Sequence, residues 1–305
     1  MNKINIKTKI LDSSSIIRRI VYLIHKKSAL KNPKKEANRV YRQYFGKDID
    51  WDNPKDLIEK IYWLQFNRDT TLWSLCADKY RVRQYVEEKG LGNMLPILYG
   101  KWDRVEDIDF NSLPNEFVIK ANNGSGSVEI VRDKASLDIT KLKRKMKEWL
   151  SYTYGYNSAD LFYAKIPPCI IAEELHPIPK TVSATLIDYK IWCFNGEPEC
   201  IWVAYNRIHG QAVRMALFDL NWNPLPEHLF SNEHYTYHSE DVLERPESLD
   251  QMLDACRILS EPFEEVRVDF YDVFGKPYFG ELTFSSGYGF YTKEYYNYLG
   301  SLINL

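Results

Sequence analysis

Helical periodicity dominates the N-terminal third of the chain. Close to the N-terminus, apolar residues recur at helical spacing with basic residues between them, and these are Ile16, Ile17, Ile20, Val21 and Ile24. This pattern predicts an amphipathic helix. Residues 54–75 show a similar periodicity, and residues 78–89 form a charged segment that should be helical as far as Gly90, because glycine commonly ends a helix.

Patterns typical of strands begin at residue 117. Residues 117–120 and 128–131 are β-rich and flank a turn-forming run of Asn, Gly and Ser, which predicts a hairpin with a mobile tip. Further strands are predicted at 169–174, 185–194, 200–205, 214–219, 265–271 and 277–283. Hairpin turns are expected at Asn195-Gly196 and around Gly275, and helices at 139–150 and 248–260. This mixture of helices and antiparallel strands indicates an α+β fold.

Composition narrows the class of protein. The chain has 305 residues, of which 45% are hydrophobic, so it has enough apolar material for a sizeable core. Its five cysteines show no CxxC spacing, which argues against a disulfide framework or a zinc ribbon and predicts a reducing compartment. We therefore expect a cytoplasmic protein.

Charge is unevenly distributed along the chain. The 40 basic and 42 acidic residues give a net charge of -2, which offers no reason to expect nucleic-acid binding. Residues 1–47 contain 13 of the basic residues but only Asp12 and Glu36 as acids, so the remainder has 27 basic and 40 acidic residues. The apolar run in this basic segment is too short and too charged to span a bilayer. Two interpretations remain: a helix docked on the body with solvated lysines, or peripheral contact with an anionic membrane face.

The first candidate site is the stretch FVIKANNGSGSVEIV. A strand that ends at Lys120 runs into a loop of Gly, Ser and Asn, which can surround a small anion with backbone N–H groups and one ammonium. The loop positions are Asn122, Gly124, Ser125, Gly126 and Ser127. The stretch is neither a Walker A loop nor a dinucleotide fingerprint. Taken alone, it fits an ordinary flexible hairpin better than a phosphate site.

The second candidate site is the stretch VRVDFYDVFGKPYFGELTF. Asp269 is on one predicted strand, while Glu281 and Thr283 are two residues apart on the next and therefore share a face. A hairpin would bring the two carboxylates together, and Mg²⁺ prefers such oxygen ligands. The alternative is a structural salt bridge, with Arg267 as the candidate partner.

The third candidate site is IIAEEL, where an apolar strand leads to Glu173 and Glu174. The backbone of such a strand can pair with an adenine edge while a carboxylate accepts from a ribose hydroxyl. In isolation, a helix start or a surface pair of acids explains the stretch equally well.

The order of these pieces resembles the ATP-grasp superfamily over about residues 55–300. More closely, the chain resembles the TupA-like ATP-grasp family, which is linked to teichuronopeptide and surface-polysaccharide biosynthesis. The matching stretches are ADKYRVRQYVEEKG, FVIKANNGSGS, DYKIWCFNG and RVDFYDVFGKPYFGELTF. The resemblance implies two α+β subdomains that clasp ATP, preceded by a helical N-terminal extension. We expect the extension at 1–50, a helical pre-grasp region at 51–115, the small subdomain at 116–175 and the large subdomain at 176–305.

The resemblance also implies roles for single residues. Lys79 and Lys120 would contact the phosphates of ATP, with the loop 122–127 closing over them. Glu173 or Glu174 would hold adenine and ribose.

Further implied roles concern the predicted metal site. Lys190 would lie near the phosphates or the acceptor, and Arg267 would face the reacting γ-phosphate. Asp269 and Glu281 would bind Mg²⁺. Thr283 departs from the family's pattern, in which Asn is often a further metal ligand; its hydroxyl can still ligate, and the number of metal ions stays open.

The implied activity is ligation of a carboxylate to an amine through an acyl phosphate. The acceptor would be a uronic-acid carboxylate of a surface glycan or its lipid-linked precursor, and the donor an amino acid or amine. Two alternatives remain: a phosphotransferase that acts on a sugar hydroxyl, and a non-catalytic glycan-binding module. Four aromatic and two basic residues suit either core packing or a sugar-binding face, and these are Trp192, Trp202, Tyr205, Trp222, Arg207 and Arg214.

Overall fold

The computed structural model describes residues 15–285 and 287–305. Its helices are α1 (Ser15–Lys31), α2 (Pro33–Phe45), α3 (Leu57–Asn67), α4 (Thr71–Cys76), α5 (Val82–Glu88), α6 (Ile139–Ser151), α7 (Leu249–Ser260) and α8 (Lys293–Ser301). Its strands are β1 (Leu98–Trp102), β2 (Phe117–Ala121), β3 (Val128–Val131), β4 (Ile170–Glu173), β5 (Asp188–Phe194), β6 (Glu197–Tyr205), β7 (Val213–Phe218), β8 (Tyr235–Tyr237), β9 (Glu265–Val273) and β10 (Lys276–Thr283). The predicted α+β class is confirmed.

Helices α1 and α2 form an N-terminal hairpin. Asn32 separates them and caps α2, since its side-chain oxygen accepts a hydrogen bond from Lys35 N at 3.0 Å. The predicted amphipathic helix is present as α1, although residues 1–14 and the side chains of Ile16 and Ile17 lie outside the described parts. Within the described ranges, no helix is both long and apolar enough to cross a membrane.

The helical region that follows is more broken than the periodicity predicts. The run at 54–75 divides into α3 and α4, because the backbone is extended at Arg68. The predicted helix at 78–89 begins only at Val82. Before it, the carboxylate of Asp78 accepts hydrogen bonds from the backbone N–H groups of Tyr80 and Arg81 and so shapes a tight turn.

The smaller sheet has four antiparallel strands in the order β1-β4-β2-β3. Helix α6 covers one face and buries Leu142 and Met146 there. The predicted hairpin of β2 and β3 is confirmed with its loop at 122–127. The sheet also includes β1, which precedes the boundary expected at residue 116.

The larger sheet has six strands in the order β10-β9-β5-β6-β7-β8, antiparallel except for β7 and β8. The hairpins β5–β6 and β9–β10 turn at Asn195-Gly196 and at Phe274-Gly275, and all four residues have positive φ. Two successive positive φ values are typical of the tight turns that match strand twist. Both predicted hairpins are therefore confirmed.

Side-chain packing decides between core packing and a sugar-binding face for the aromatic residues. Trp192, Trp202 and Tyr205 are fully buried in the core of the larger sheet, so they are packing residues and do not form a sugar-binding face. The remaining three residues of that set also have partners within the protein. Trp222 stacks on Phe218 with ring centroids 4.0 Å apart, Arg207 pairs with Asp188 and Arg214 pairs with Asp241.

Candidate active site

A row of charged residues crosses three neighbouring strands of the larger sheet. Lys190 on β5 lies opposite Asp269 on β9, and Asp269 lies opposite Glu281 on β10. Opposed residues project on the same face of a sheet. The register shifts between Phe279 and Glu281, so a bulge at Gly280 sets Glu281 opposite Asp269. We call Lys190, Asp269, Glu281 and Arg267 the charged row.

Arg267 ties the charged row together. Its guanidinium donates to both oxygens of Asp269 at 2.7 and 2.8 Å and to Thr283 Oγ1 at 3.2 Å. It also lies 3.8 Å from Glu281 Oε1. Lys190 donates to Asp269 from the other side. The structural alternative of a salt bridge between Asp269 and Arg267 is thus present, and the metal roles of Asp269, Glu281 and Thr283 stay predictions.

The balance of charges decides the protonation of Glu281. Burial acts to raise its pKa, but Lys79, Lys190 and Arg267 outweigh burial and hold the pKa well below its ordinary value. Glu281 therefore stays ionised at neutral pH. The pKa of Arg267 is raised, because the charge and hydrogen bonds of Asp269 outweigh the effect of burial.

Lys79 connects this row to the glycine-containing loop of the smaller sheet. Its ammonium donates to Gly124 O at 2.7 Å and lies 3.1 Å from Glu281 Oε2. The turn shaped by Asp78 holds the backbone of Lys79 in place, and Lys79 N donates to Asn122 O at 2.8 Å. One ammonium therefore touches both the predicted phosphate loop and a predicted metal ligand.

Asn122 secures the base of the loop from inside the protein. Its side chain donates to Asp78 and to Pro167 O, both at 2.9 Å, and accepts from Cys169 N at 2.8 Å. Its side-chain amide is therefore occupied by hydrogen bonds within the protein. A direct contact of this side chain with a phosphate does not match the observed geometry. The loop's backbone and its neighbours remain the predicted phosphate contacts.

The rest of the loop leaves donors towards solvent. Ser125 and Gly126 are exposed, and Gly124 and Gly126 have φ values of 68° and 82°. The side-chain nitrogen of Asn123 is buried and has no hydrogen-bond partner within the described residues, which suits a site that receives a polar ligand. Ser127 closes the hairpin, since its carbonyl accepts from Ala121 N at 2.9 Å.

Glu173 and Glu174, which are predicted to hold adenine and ribose, both have partners within the protein. Glu173 is buried and pairs with Lys120 at 2.5 Å and with Arg83 at 3.2 Å. Glu174 Oε2 accepts from Ile97 N at 3.3 Å, and Glu174 N donates to Ile97 O at 2.9 Å. In this arrangement Glu173 positions Lys120, and a ribose contact by either carboxylate stays a prediction.

Arg83 is a site residue that the sequence reasoning missed. It lies four positions after Lys79, at the start of α5, and donates to Glu173 Oε1 at 3.2 Å and to Pro96 O at 2.9 Å. That spacing was available in the sequence, but its partner Glu173 is 90 residues away. Asp188 was missed as well; it pairs with Arg207 at 2.6 Å and lies 3.6 Å from Lys190.

These residues suit MgATP in kind and position. Lys79, Lys120 and the loop amides offer positive charge and donors for a polyphosphate, while Asp269 and Glu281 are hard oxygen ligands for Mg²⁺. Over residues 15–285 and 287–305, no group of three or more His, Cys, Asp and Glu side chains is arranged to hold a metal ion. A two-carboxylate site fits Mg²⁺ that takes its remaining ligands from nucleotide and water.

Comparison with known proteins provides an independent line of evidence. The family model described as TupA-like ATPgrasp matches residues 59–304. No curated protein sequence matches the chain.

Several solved structures of ligases are remotely similar to this chain. One is D-alanine–D-alanine ligase from Bacillus anthracis complexed with ATP, with a TM-score of 0.42, 16% identity and coverage of 68% of this chain and 55% of that chain. Another is D-alanine–D-alanine ligase from Helicobacter pylori, with a TM-score of 0.39, 12% identity and coverage of 74% and 60%. The ATP-grasp ligase PsnB, complexed with minimal precursor, Mg and ADP, gives a TM-score of 0.37, 12% identity and coverage of 75% and 58%.

The chain spans between 55% and 60% of the length of these three proteins. The family match covers most of this chain and includes both sheets, Lys79, the loop and the charged row. The chain belongs to the TupA-like ATP-grasp family.

Proposed function

We propose that the protein is an ATP-dependent carboxylate–amine ligase that works through an acyl phosphate. The observation that carries the proposal is the position of Lys79, whose ammonium contacts Gly124 O at 2.7 Å and Glu281 at 3.1 Å. A polyphosphate held by the loop would therefore end beside the charged row. There Lys190, Arg267 and Lys79 offset the charge of a transferring phosphoryl group.

The residues divide the work as follows. Lys79, Lys120 and the loop 122–127 hold the phosphates, and Glu173 keeps Lys120 in place. Asp269, Glu281 and Thr283 would hold Mg²⁺, which when bound would neutralise charge on the transferring group. Arg267 and Lys190 orient the acceptor carboxylate against the γ-phosphate, and closure of the loop excludes water from the reactive acyl phosphate.

The low pKa values of carboxylates at this site favour ligation over transfer of a phosphoryl group to a hydroxyl. A hydroxyl acceptor needs a base that takes its proton, whereas an acceptor carboxylate is already ionised. The pKa of Glu281 is held well below its ordinary value, since its three neighbouring cations outweigh the effect of burial, so this carboxylate is a weak base. Asp188 has a lowered pKa as well, because Lys190 and Arg207 outweigh the effect of burial.

For the acceptor, we propose a uronic-acid carboxylate of a surface polysaccharide or its lipid-linked precursor, joined to an amino acid or another amine. This choice rests on the family's link to teichuronopeptide and polysaccharide synthesis.

The experiment combines MgATP, a pool of uronic-acid glycans and amino acids, followed by mass spectrometry of the glycans. A parallel sample contains hydroxylamine, which converts an acyl phosphate into a stable hydroxamate. Release of ADP and phosphate, with an amide-sized mass gain or a hydroxamate, supports the ligase. ADP with a phosphate-sized mass gain would establish the phosphotransferase instead, and lack of MgATP binding would overturn both enzymes.

We also propose peripheral contact of α1 with an anionic membrane. Ile20, Leu23, Ile24 and Leu30 are all more than half exposed on this helix, and Arg19, Lys26, Lys27 and Lys31 lie among them. Apolar side chains flanked by basic ones match the chemistry of an acidic lipid surface.

A further inference from the structure

A further pocket lies between the N-terminal hairpin and the segment 152–158. It has a volume of about 380 Å³, and its walls include Tyr22, Tyr44, Tyr152, Tyr154, Asn157 and Tyr288. We call it the tyrosine pocket. Its volume is within the range of small-molecule sites.

The pocket shares a wall with the predicted phosphate loop. A Cβ built on Gly124 would lie 2.3 Å from the ring of Tyr154, so this ring lies directly against the loop. Gly124 O in turn accepts from the Lys79 ammonium at 2.7 Å. A ligand in the pocket would therefore be separated from the predicted phosphate loop by one aromatic ring.

The N-terminal hairpin builds the opposite wall. Tyr22 OH accepts from Thr153 N at 3.1 Å, and Arg39 donates to Asn157 O at 2.7 Å. These two contacts fix α1 and α2 on the segment 152–158. Tyr22 and Tyr44 precede residue 59, where the family match begins, so the hairpin supplies walls that the matched region does not contain.

The lining favours a ring with many hydroxyl groups. Tyr44 and Tyr154 are 50% and 38% exposed, so both present aromatic surface to a ligand. The negative face of an aromatic ring attracts the C–H face of a sugar, while the phenol groups can exchange hydrogen bonds with sugar hydroxyls. No Lys, Arg, Asp or Glu is among the lining residues described, which suits an uncharged part of the ligand.

We propose that the tyrosine pocket binds the pyranose ring of the acceptor, whose carboxylate extends past Tyr154 to Lys79 and Arg267. This inference rests on the proposed ligase function and adds a binding site for the substrate. It makes Tyr22, Tyr44, Tyr154 and Tyr288 acceptor-binding residues and gives the N-terminal hairpin a part in substrate recognition.

The test uses the full chain and methyl β-D-glucuronoside as the probe, with binding measured by saturation-transfer difference NMR. The ring protons should receive saturation in the wild type, and Tyr44→Ala should weaken binding about tenfold. Tyr44→Phe, which keeps the ring, should lose much less. Tyr298→Ala is the matched control, because Tyr298 is a 45% exposed tyrosine on α8 away from the tyrosine pocket.

Two results would overturn the proposal that the tyrosine pocket binds the acceptor. One is absence of saturation transfer from the wild type to the probe, and the other is equal binding of the probe by wild type and Tyr44→Ala. Competition by hexanoate as effective as that of free glucuronate would overturn the preference for a sugar ring. MgATP binding is measured on the same samples by calorimetry and should be unchanged in Tyr44→Ala. Failure of the wild type to bind MgATP would refute the ligase separately, whatever the NMR result.

Discussion

Glu281 is 35% exposed, yet Lys79 and Arg267 both lie within 4 Å of its carboxylate. The cations keep this carboxylate ionised, and its exposure leaves an oxygen accessible to a ligand. An accessible, ionised oxygen opposite Asp269 is what a hard cation requires. The lysine and arginine contacts are therefore compatible with the predicted metal role of Glu281.

Glu281→Gln should abolish turnover and leave the fold nearly intact. The substitution keeps the shape of the side chain but removes one negative charge from the metal site, and we expect activity to fall by at least about 100-fold. ATP affinity should also lose most of its dependence on Mg²⁺, as measured by calorimetry with Mg²⁺ and with EDTA. Glu294→Gln, on α8, is the control. Wild-type turnover in Glu281→Gln would refute the metal assignment.

Asp160 gives the second prediction at this scale. Burial raises its pKa from 3.8 to about 7, against hydrogen bonds that act in the opposite direction, and its charge is felt by four surrounding tyrosines, Tyr62, Tyr154, Tyr163 and Tyr288. The unfolded carboxyl loses its proton near pH 4, whereas the folded one keeps it until about pH 7. The folded state thus binds the extra proton in this window, and the free energy of unfolding should fall as pH rises through it.

Asp160→Asn removes this titration. Denaturant unfolding at several pH values should show the variant gaining stability relative to the wild type between about pH 4 and pH 7, by up to a few kcal/mol. The exposed Asp254→Asn should follow the wild-type curve. Parallel curves for Asp160→Asn and the wild type would show that Asp160 has an ordinary pKa.

Sequence patterns placed Lys120, Asp269 and Glu281 on the strands where they lie, because strand periodicity is local, and they named Arg267 as a partner of Asp269. They did not predict the turn that holds Lys79 or the pairing of Lys120 with Glu173. Asn122 behaves differently: its side chain binds residues 44 and 47 positions away. No local pattern distinguishes such a clamp from an exposed loop residue, because the distinction exists only after the chain has folded.

At the scale of the elements, the β2–β3 hairpin combines two glycines with different surroundings. Gly124 packs against Tyr154, whereas a Cβ on Gly126 would meet nothing within 4 Å. Both have positive φ, so alanine strains the backbone at either position. Only at Gly124 would it also push the loop away from Tyr154 and Lys79.

Gly124→Ala should therefore weaken MgATP binding about tenfold, and Gly126→Ala should weaken it much less. Calorimetric titration of MgATP into both variants measures the difference, and thermal unfolding checks that each remains folded. Equal losses would mean that backbone strain alone matters and that the contact with Tyr154 does not position the loop.

The exposed apolar face of α1 makes a second prediction at this scale. Substitution of both Leu23 and Ile24 by Glu should abolish sedimentation with vesicles that contain phosphatidylglycerol, because it removes apolar contacts and adds charge of the wrong sign. Val242→Glu is the control, since Val242 is exposed elsewhere on the surface. Absence of wild-type sedimentation, or unchanged sedimentation of the double variant, would refute membrane contact.

The sequence patterns missed three elements, β1, β8 and α8, that depend on tertiary contacts more than on local pattern. β1 contains Gly100 and only five residues, and β8 has three, so both are too short for a clear alternation. Helix α8 is rich in tyrosine, KEYYNYLGS, which favours strand by propensity alone. It is helical because Thr292 caps it and because Tyr295 and Tyr296 pack into the core.

At the scale of the whole molecule, the residues that the structure describes form two hydrophobic cores, one for each sheet. Lys79 connects the two sides of the site through its contacts with Gly124 and Glu281. The polar character of this junction explains why sequence patterns predicted both sheets yet gave no account of how they meet. A polyphosphate with Mg²⁺ would add charge-assisted contacts between the loop and the charged row.

MgATP should therefore stabilise the molecule as a unit. At a concentration 100 times the dissociation constant, the expected gain is about 2.7 kcal/mol, or a rise in unfolding temperature of several degrees, measured by scanning calorimetry. Lys79→Met should reduce this rise, since it removes the cation common to loop and row, while Lys293→Met on α8 should not. ATP with EDTA should give a much smaller rise than MgATP. If ATP stabilised the wild type equally with and without Mg²⁺, the nucleotide would be held by the loop alone and the charged row would not take part.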